Sequence, residues 1–127
     1  MENNGTVLFV DGDTQLNFTN RCAFEIFSYT VHTATTLGEA HRFIADTPPD
    51  IIIMEVELPD GDGFVFCEEI KNKIPSLIFF LTARTGKDNL LRGLKLGSDY
   101  ITKPHYQPEL MARVESAMRR RKRDGFV

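Results

Sequence analysis

The sequence predicts an α/β protein in which five helices cover both faces of a doubly wound, five-stranded parallel sheet. Three observations support this prediction. The strongest apolar segments, at 6–10, 51–54 and 77–81, are apolar throughout instead of alternating, as is typical of strands covered on both faces. Helical patterns fill every gap between strands, and right-handed crossovers then produce a doubly wound sheet. A chain of 127 residues with 42% hydrophobic content suffices for one domain with one core.

The five strands are predicted from short runs rich in β-branched and aromatic residues. They are TVLFV (6–10), YTVHT (29–33), IIIM (51–54), LIFFL (77–81) and DYIT (99–102). The second and fifth runs are weaker signals because they mix polar with apolar residues. Strands and helices alternate along the whole chain, which indicates one domain without internal repeats.

The five helices are predicted from apolar residues spaced three or four positions apart. Their approximate bounds are 14–28, 37–46, 63–73, 87–96 and from 108 onward. Thr36 and Glu39 form a capping-box pattern, and Pro108 suits a first helical position. The residues expected on the buried faces are Leu16, Thr19, Ala23 and Phe27, then Leu37, Ala40 and Ile44, then Phe64, Cys67 and Ile70, then Leu90, Leu91 and Leu94, and finally Met111, Val114 and Met118.

Charge divides the chain into two unequal halves. Residues 1–63 hold 11 acidic and 2 basic side chains, whereas residues 64–127 hold 7 acidic and 13 basic ones. The run RRRKR at 119–123 is interpreted as a basic last helical turn leading into a solvated tail. Contact with nucleic acid or an anionic surface is the alternative that this run leaves open.

Other features of composition exclude several classes of protein. The chain has no run of 18 apolar residues and no secretory signal pattern, so we expect a cytoplasmic protein without membrane contacts. Cys22 and Cys67 stand singly, without the spacing of a metal site or a disulfide framework. Both are therefore expected to be reduced thiols.

Polar residues suited to phosphate chemistry follow the predicted strands. In such sheets ligands bind outside the carboxyl ends of the strands. The residues at these positions are Asp11 and Asp13 after the first strand, Glu55 and Glu57 after the third, Thr82 after the fourth and Lys103 after the fifth. Carboxylates suit Mg²⁺, while a hydroxyl and an ammonium group suit phosphate oxygens. An aspartate after a strand is commonly only a cap, but this combination predicts a site for a divalent cation and a phosphoryl group.

These segments resemble the receiver domain of bacterial two-component response regulators. VLFVDGD, PPDIIIMEVELPDGDGFVFCEEI, FFLTAR, RGLKLGSDYITKP and ELMARVESAMRRR follow one another with the spacing of that family, over about residues 5–121. The pattern is most similar to that of winged-helix (OmpR/PhoB-type) transcription regulators. The resemblance implies a flavodoxin-like strand order 2-1-3-4-5. It also implies a receiver domain at 1–121 and, at 122–127, a tail or the start of a linker to an absent effector domain.

The resemblance implies a role for each candidate residue. The matches are Asp11 to the first metal-binding acid, Glu55 to the phospho-acceptor position, Thr82 to the hydroxyl that reports phosphorylation, Tyr100 to the aromatic switch and Lys103 to the lysine that contacts the phosphoryl group. The backbone carbonyl of Glu57 is the remaining metal-ligand position. Pro104 matches a proline that often follows a cis peptide bond.

Two departures from the family pattern fall on the predicted site. Gly12 stands at the second acidic position, and Glu55 replaces the acceptor aspartate. Fewer carboxylates weaken Mg²⁺ binding, which Asp13 compensates only if the backbone moves. A glutamate carboxylate also lies about 1.5 Å further out, and a misplacement of about 1 Å can cost about a hundredfold in rate. We therefore expect weak Mg²⁺ binding, no required cofactor, and a charge at Glu55 that partly imitates a phosphorylated state.

The leading hypothesis is a non-enzymatic signalling module, atypical and independent of phosphorylation. Its output, expected to be transcription, would act through the surface formed by the fourth helix, fifth strand and fifth helix. The residues expected at a homodimer interface there are Arg92, Asp99, Glu109 and Arg113. DNA contact would require an effector domain that this chain lacks.

Two alternatives remain open at this point. In the first, the domain is a Mg²⁺-dependent receiver that a histidine kinase phosphorylates on Glu55 or a neighbouring acid. In the second, it is an unrelated metal-dependent hydrolase with the same architecture. The hydrolase has the weakest support, because His32, His41 and His105 fall away from the predicted carboxylate cluster and leave no obvious general base.

Overall fold

Strands and helices alternate along the chain in the computed structural model, which describes residues 3–124. The strands are β1 (Gly5–Val10), β2 (Tyr29–Ala34), β3 (Ile51–Met54), β4 (Glu57–Leu58), β5 (Gly61–Asp62), β6 (Leu77–Thr82) and β7 (Asp99–Thr102). The helices are α1 (Thr14–Ile26), α2 (Leu37–Asp46), α3 (Gly63–Ile70), α4 (Lys87–Leu96) and α5 (Gln107–Arg123). All five predicted strands and all five predicted helices are present.

Five of the strands form one parallel sheet in the order β2-β1-β3-β6-β7. This order confirms the predicted flavodoxin-like winding. A short antiparallel hairpin of β4 and β5, absent from the prediction, lies between β3 and α3. The Lys103–Pro104 peptide bond is cis, as the family resemblance implied.

The sheet is buried on both faces, which explains the continuous apolar runs of its central strands. Leu8, Ile52 and Phe80 point into one layer, where they pack with residues of α2 and α3. Phe9 and Ile53 point into the other layer, which α1 and α5 cover. Successive side chains of a strand point to opposite faces of the sheet. When helices cover both faces, every position of the strand is buried and is therefore apolar.

The predicted buried face of α1 is right only in part: Leu16 and Ala23 are half-buried, and Ala23 packs against the core. The helix buries Asn17, Asn20 and Phe24, whereas Thr19 is exposed and Phe27 is 55% exposed. The apolar pattern did not reveal this face because two of its buried residues are polar. Asn17 donates from Nδ2 to the carbonyl oxygen of Asp11 over 2.9 Å, and Oδ1 of Asn20 accepts from Nε2 of Gln107. Burial of an amide is tolerated when such partners are present.

The predicted buried face of α4 is wrong. Leu90, Leu91 and Leu94 are 41%, 56% and 46% exposed. The buried residue of this helix is Gly93, against which the ring of Tyr100 packs. A glycine allows this close approach because it has no Cβ. The leucines are consequently left on the surface.

The helix boundaries agree with the predicted caps in part. Thr36 accepts a hydrogen bond from the backbone N–H of Glu39, but the Glu39 carboxylate accepts from the backbone N–H and hydroxyl of Thr35 rather than completing the capping box. Pro108 lies in the first turn of α5. That helix continues to Arg123, past the predicted domain boundary at 121, which stays a prediction. Residues 125–127 of the predicted tail lie outside the described residues.

Both cysteines are free thiols. Cys22 is exposed and Cys67 is buried. Burial, with a smaller contribution from the Asp62 carboxylate, raises the pKa of Cys67 to about 12. Within residues 3–124, none of the helices has the length and apolar character that crossing a membrane requires.

Candidate functional site

The candidate site lies where the carboxyl ends of β1, β3 and β7 meet. Asp11 follows β1 directly and Glu55 follows β3 directly, and each residue is only 8% exposed. Lys103 follows β7, which lies at the opposite side of the sheet from β1 relative to the central strand β3. Because parallel strands end at the same edge, the sheet brings these three side chains together although 92 positions separate Asp11 from Lys103.

Lys103 bridges the two carboxylates. Its Nζ lies 2.6 Å from Oδ2 of Asp11 and 2.9 Å from Oε1 of Glu55. The other oxygen of Asp11 accepts the backbone N–H of Asp13 over 2.9 Å. The other oxygen of Glu55 accepts the backbone N–H of Val56 over 2.5 Å. All four carboxylate oxygens of Asp11 and Glu55 are therefore engaged within the chain.

The ammonium group of Lys103 is held in its charged form. Burial alone would lower the pKa of Lys103, but the hydrogen bonds to Asp11 and Glu55 and their negative charges outweigh burial and raise the pKa above its usual value. The site is therefore a triad in which the Lys103 cation lies between two acidic side chains.

Two predicted site residues lie outside this triad. Asp13 is exposed and caps α1, accepting the backbone N–H of Leu16 over 3.0 Å. Glu57 pairs with Asp62 across the β4–β5 hairpin. Its side chain points to Arg84, whose Nε lies 2.9 Å from Oε1 of Glu57. The carboxylate of Asp13 thus caps a helix in this arrangement. For Glu57 the predicted ligand is the backbone carbonyl, and that role stays a prediction.

Within the part of the chain that the structure describes, the side chains of Thr82 and Tyr100 make no hydrogen bond to the carboxylates of the triad. Thr82 is fully buried, and its Oγ1 accepts the backbone N–H of Arg84 over 3.2 Å. Among residues 3–124, Thr82 makes no side-chain hydrogen bond to Glu55 or Lys103. The Tyr100 ring is 8% exposed, and its hydroxyl donates to the carbonyl oxygen of Arg84 over 2.8 Å.

Sequence reasoning missed Arg84, which contacts several of these groups. Its guanidinium lies between Glu57 and Asp62, with Nη1 3.6 Å from Oδ2 of Asp62. The signal that would have located its partners is the turn pattern Pro59-Asp60-Gly61, which is typical of a tight hairpin and places the two flanking acids side by side.

The predicted interface residues all have partners within the chain. Arg92 pairs with Glu68 of α3 at 2.7 Å and lies over the Phe64 ring. Arg113 pairs with Asp99 and with Glu109, each at 3.1 Å. These pairs are about half exposed on the arginine side, so each stabilises the domain by no more than about 1 kcal/mol.

A doubly wound parallel sheet with buried acids and a bridging lysine at the carboxyl ends of its strands defines the receiver class of signalling module. Comparison with known proteins identifies the family. The model of the response regulator receiver domain matches residues 7–115. The chain belongs to this family, whose domains are signalling modules of two-component systems.

Relatives and solved structures agree with this assignment. The chain is 34% identical over 119 residues to the phosphate regulon transcriptional regulatory protein PhoB of Pseudomonas aeruginosa, covering 91% of this chain and 52% of that protein. It is 33% identical over 115 residues to the transcriptional regulatory protein KdpE of Mycobacterium tuberculosis, covering 90% and 51%. The chain thus spans about half the length of these curated relatives.

Two solved structures show the same architecture. A two-component response regulator from Clostridium difficile is 30% identical, with a TM-score of 0.86 and coverage of 92% of this chain and 97% of that one. The non-phosphorylated receiver domain of HemR from Leptospira biflexa is 31% identical, with a TM-score of 0.81 and coverage of 89% and 93%. These likenesses agree with the sheet order described above.

Receiver domains typically bind Mg²⁺ at their phosphorylation site, but the residues of this chain do not fit the ion in the arrangement observed. Within the described residues, no three or more His, Cys, Asp or Glu side chains are grouped so that they could hold a metal ion. The Lys103 ammonium stands between Asp11 and Glu55, and Asp13 caps α1. Gly12 provides no side-chain ligand. Mg²⁺ prefers near-octahedral oxygen ligands, which a lysine-bridged carboxylate pair does not supply.

Proposed function

We propose that this domain is an atypical receiver that signals without accepting a phosphoryl group. The observation that supports the proposal is the position of Lys103 between Asp11 and Glu55. In phosphoryl transfer the cation must stabilise charge on the moving group, and the acceptor must be free to attack. Here the cation and the residue at the acceptor position already satisfy each other.

Glu55 imitates a phosphorylated residue only in part. A phosphoryl group offers three acceptor oxygens and about −1.5 to −2 charges at neutral pH. Glu55 uses one oxygen for Lys103 and the other for backbone N–H groups, and it does not reach Thr82. A charge shifts a conformational equilibrium only through contacts that differ between the two states. The contact with Lys103 alone therefore produces a partial bias.

Intact-protein mass spectrometry tests this proposal. The natural protein, Glu55→Asp, and Glu55→Asp combined with Gly12→Asp are each incubated with Mg²⁺ and acetyl phosphate. We expect no mass increase for the natural protein and a gain of one phosphoryl group for the double variant. The position of Gly12 accepts a side chain, because an added Cβ would lie 3.4 Å from the Pro59 ring, an ordinary contact distance.

The controls separate loss of chemistry from loss of structure. Glu55→Gln combined with Gly12→Asp carries the new acid but no acceptor carboxylate, and it should gain no mass. A phosphoryl gain by the natural protein would contradict the proposal and favour the alternative, in which a histidine kinase phosphorylates Glu55 or a neighbouring acid through Mg²⁺.

The same proposal includes an output surface formed by α4, β7 and α5. It carries the partly exposed pairs of Arg113 with Asp99 and Glu109, and the exposed leucines of α4. A two-fold dimer through this face would bury the leucines and allow the arginines to pair across the interface. Because the curated relatives are about twice as long as this chain, control of transcription would require an effector domain beyond the receiver.

Sedimentation velocity over a concentration series tests the dimer. We expect concentration-dependent dimerisation of the natural protein and a severalfold weaker dimer for Leu91→Asp, because a buried interface disfavours an unpaired charge. The control is Ile26→Asp, which changes an apolar residue of α1 that is 77% exposed, against 56% for Leu91. A protein that stays monomeric throughout, or equal weakening by both variants, would count against this face.

A further inference from the structure

The segment that joins β6 to α4, residues 83–86, is attached to its surroundings through Arg84. The Arg84 backbone N–H donates to the Thr82 hydroxyl over 3.2 Å, and its carbonyl oxygen accepts from the Tyr100 hydroxyl over 2.8 Å. Both residues that would report the state of the site are thus bonded to the backbone of one residue. If the Arg84 backbone moves, the Thr82 and Tyr100 hydroxyls must move with it or these two hydrogen bonds break.

The side chain of Arg84 reaches the β4–β5 hairpin that follows Glu55. Its Nε lies 2.9 Å from Glu57 and its Nη1 3.6 Å from Asp62. These two acids are direct partners across the hairpin. Like charges placed directly opposite on paired strands repel. A guanidinium between them removes this repulsion and presents its rigid fork of donors to both carboxylates.

The ring of Tyr100 is buried, and among residues 3–124 its hydroxyl has one hydrogen-bond partner. The ring packs on Phe64 and Phe80, with centroids 6.3 and 6.2 Å away, and over Gly93. A buried tyrosine hydroxyl requires a hydrogen-bond partner, and here the partner is the Arg84 carbonyl oxygen. Loss of that partner would favour rotation of the ring toward solvent.

We propose that Arg84 is a positioning residue: its ion pairs with Glu57 and Asp62 hold the 83–86 segment in place and thereby keep Tyr100 buried without a phosphoryl group. This inference extends the proposed function, since it supplies a source of bias toward one state that does not require modification of Glu55. The pairs are partly exposed, with 32% of the Arg84 side chain accessible. We therefore expect a shift of about three- to fivefold in the ratio of buried to exposed ring, not a complete switch.

Fluorine NMR of protein labelled with 3-fluorotyrosine measures the position of Tyr100. The chain has three tyrosines, so Tyr→Phe variants assign each signal. Gly93→Ala provides the reference for a displaced ring, because an added Cβ would lie 2.7 Å from Cε2 of Tyr100 and closer still to Cδ2. We expect Arg84→Ala to move the Tyr100 signal toward the Gly93→Ala position and to leave the midpoint of thermal unfolding nearly unchanged.

Matched variants decide whether the effect runs through the ion pairs. Arg84→Lys should keep part of the effect, because it retains the charge but not the fork. Arg21→Ala removes a comparable exposed pair on α1, with Glu25, and should leave the Tyr100 signal in place. Glu57→Gln should shift the signal in the same direction as Arg84→Ala, and the double variant should shift it less than the sum of the two. Additive shifts, or an unmoved signal in Arg84→Ala, would overturn the proposal.

The experiment is separable from the test of the proposed function. The spectra are recorded without a phosphodonor, so they report on Arg84 whether or not Glu55 accepts a phosphoryl group. If the natural protein gains a phosphoryl mass and the Tyr100 signal shifts as expected, only the proposal of phosphorylation-independent signalling is rejected. No mass gain with an unmoved Tyr100 signal would reject only the role of Arg84.

Discussion

Replacing Lys103 with methionine is expected to lower the free energy of unfolding by about 3 kcal/mol at neutral pH, because it leaves two buried carboxylates without their cation. Methionine keeps most of the volume of the lysine stem, so loss of packing contributes little. Asp11 and Glu55 are each only 8% exposed, and water compensates their charges poorly. Urea denaturation followed by circular dichroism measures the change.

The pH dependence of this difference follows from the pKa of Lys103. Hydrogen bonds to Asp11 and Glu55 raise this pKa in the folded protein above its ordinary value of 10.5. A group with a raised pKa stabilises the fold fully below its unfolded-state pKa and loses that effect as the pH rises through the folded value. The difference between the natural protein and Lys103→Met should therefore shrink above about pH 10.5.

The control for this prediction is Lys73→Met. Lys73 is exposed in the segment after α3 and has no acidic partner among the described residues. Its replacement should change the free energy of unfolding by no more than about 0.5 kcal/mol. Equal effects of the two lysine variants would show that the bridge between the carboxylates adds no stability.

Gly63→Ala is expected to destabilise the domain by about 2 to 3 kcal/mol, because the new methyl group would overlap backbone atoms that cannot move independently. An added Cβ would overlap the carbonyl oxygen of Glu55, and it would lie 3.1 Å from Cα of Val56 and 3.0 Å from Cγ of Met54. The backbone N–H of Gly63 also donates to the carbonyl oxygen of Val56 over 2.7 Å, which fixes this close approach. Thermal unfolding measures the loss.

Gly12→Ala is the matched control for this steric prediction. Gly12 lies in the loop after β1, at the same edge of the sheet, and an added Cβ there would meet only Pro59 at 3.4 Å and a backbone oxygen at 3.9 Å. The two variants gain the same methyl group and lose the same backbone freedom. If Gly63→Ala proved as stable as Gly12→Ala, the close contact with the backbone at Glu55 would not be significant.

The architecture could be predicted because local signals and burial agreed. The central strands had to be apolar on both faces, which identified them in the sequence and predicted parallel pairing. The faces of α1 and α4 could not be predicted in this way. Asn17 and Asn20 are buried and each makes a side-chain hydrogen bond, and Gly93 is buried because the Tyr100 ring occupies the space that a Cβ would fill. Buried amides and a buried glycine do not contribute to the apolar spacing from which the face of a helix is predicted.

The sequence predicted where in the fold the candidate site lies better than it predicted which side chains contact one another there. Asp11, Glu55 and Lys103 meet as expected, since strand ends of a parallel sheet converge. The Asp13 carboxylate was expected near them but caps a helix, and the Glu57 side chain, for which no role was predicted, pairs with Arg84. The roles of these residues in phosphoryl chemistry stay predictions.

By itself, the sequence determined the order of strands and helices, the burial of the sheet on both faces, and the set of polar groups at one edge. Only the tertiary structure decided which of those groups contact one another. Lys103 reaches Asp11 across 92 positions and Glu55 across 48, and Arg84 reaches Glu57 across 27. Such contacts depend on the direction in which each loop leaves its strand, to within about 1 Å, and hydrogen bonds lengthened by that amount are lost. Local residue patterns determine secondary structure and burial, but they carry no information at that scale.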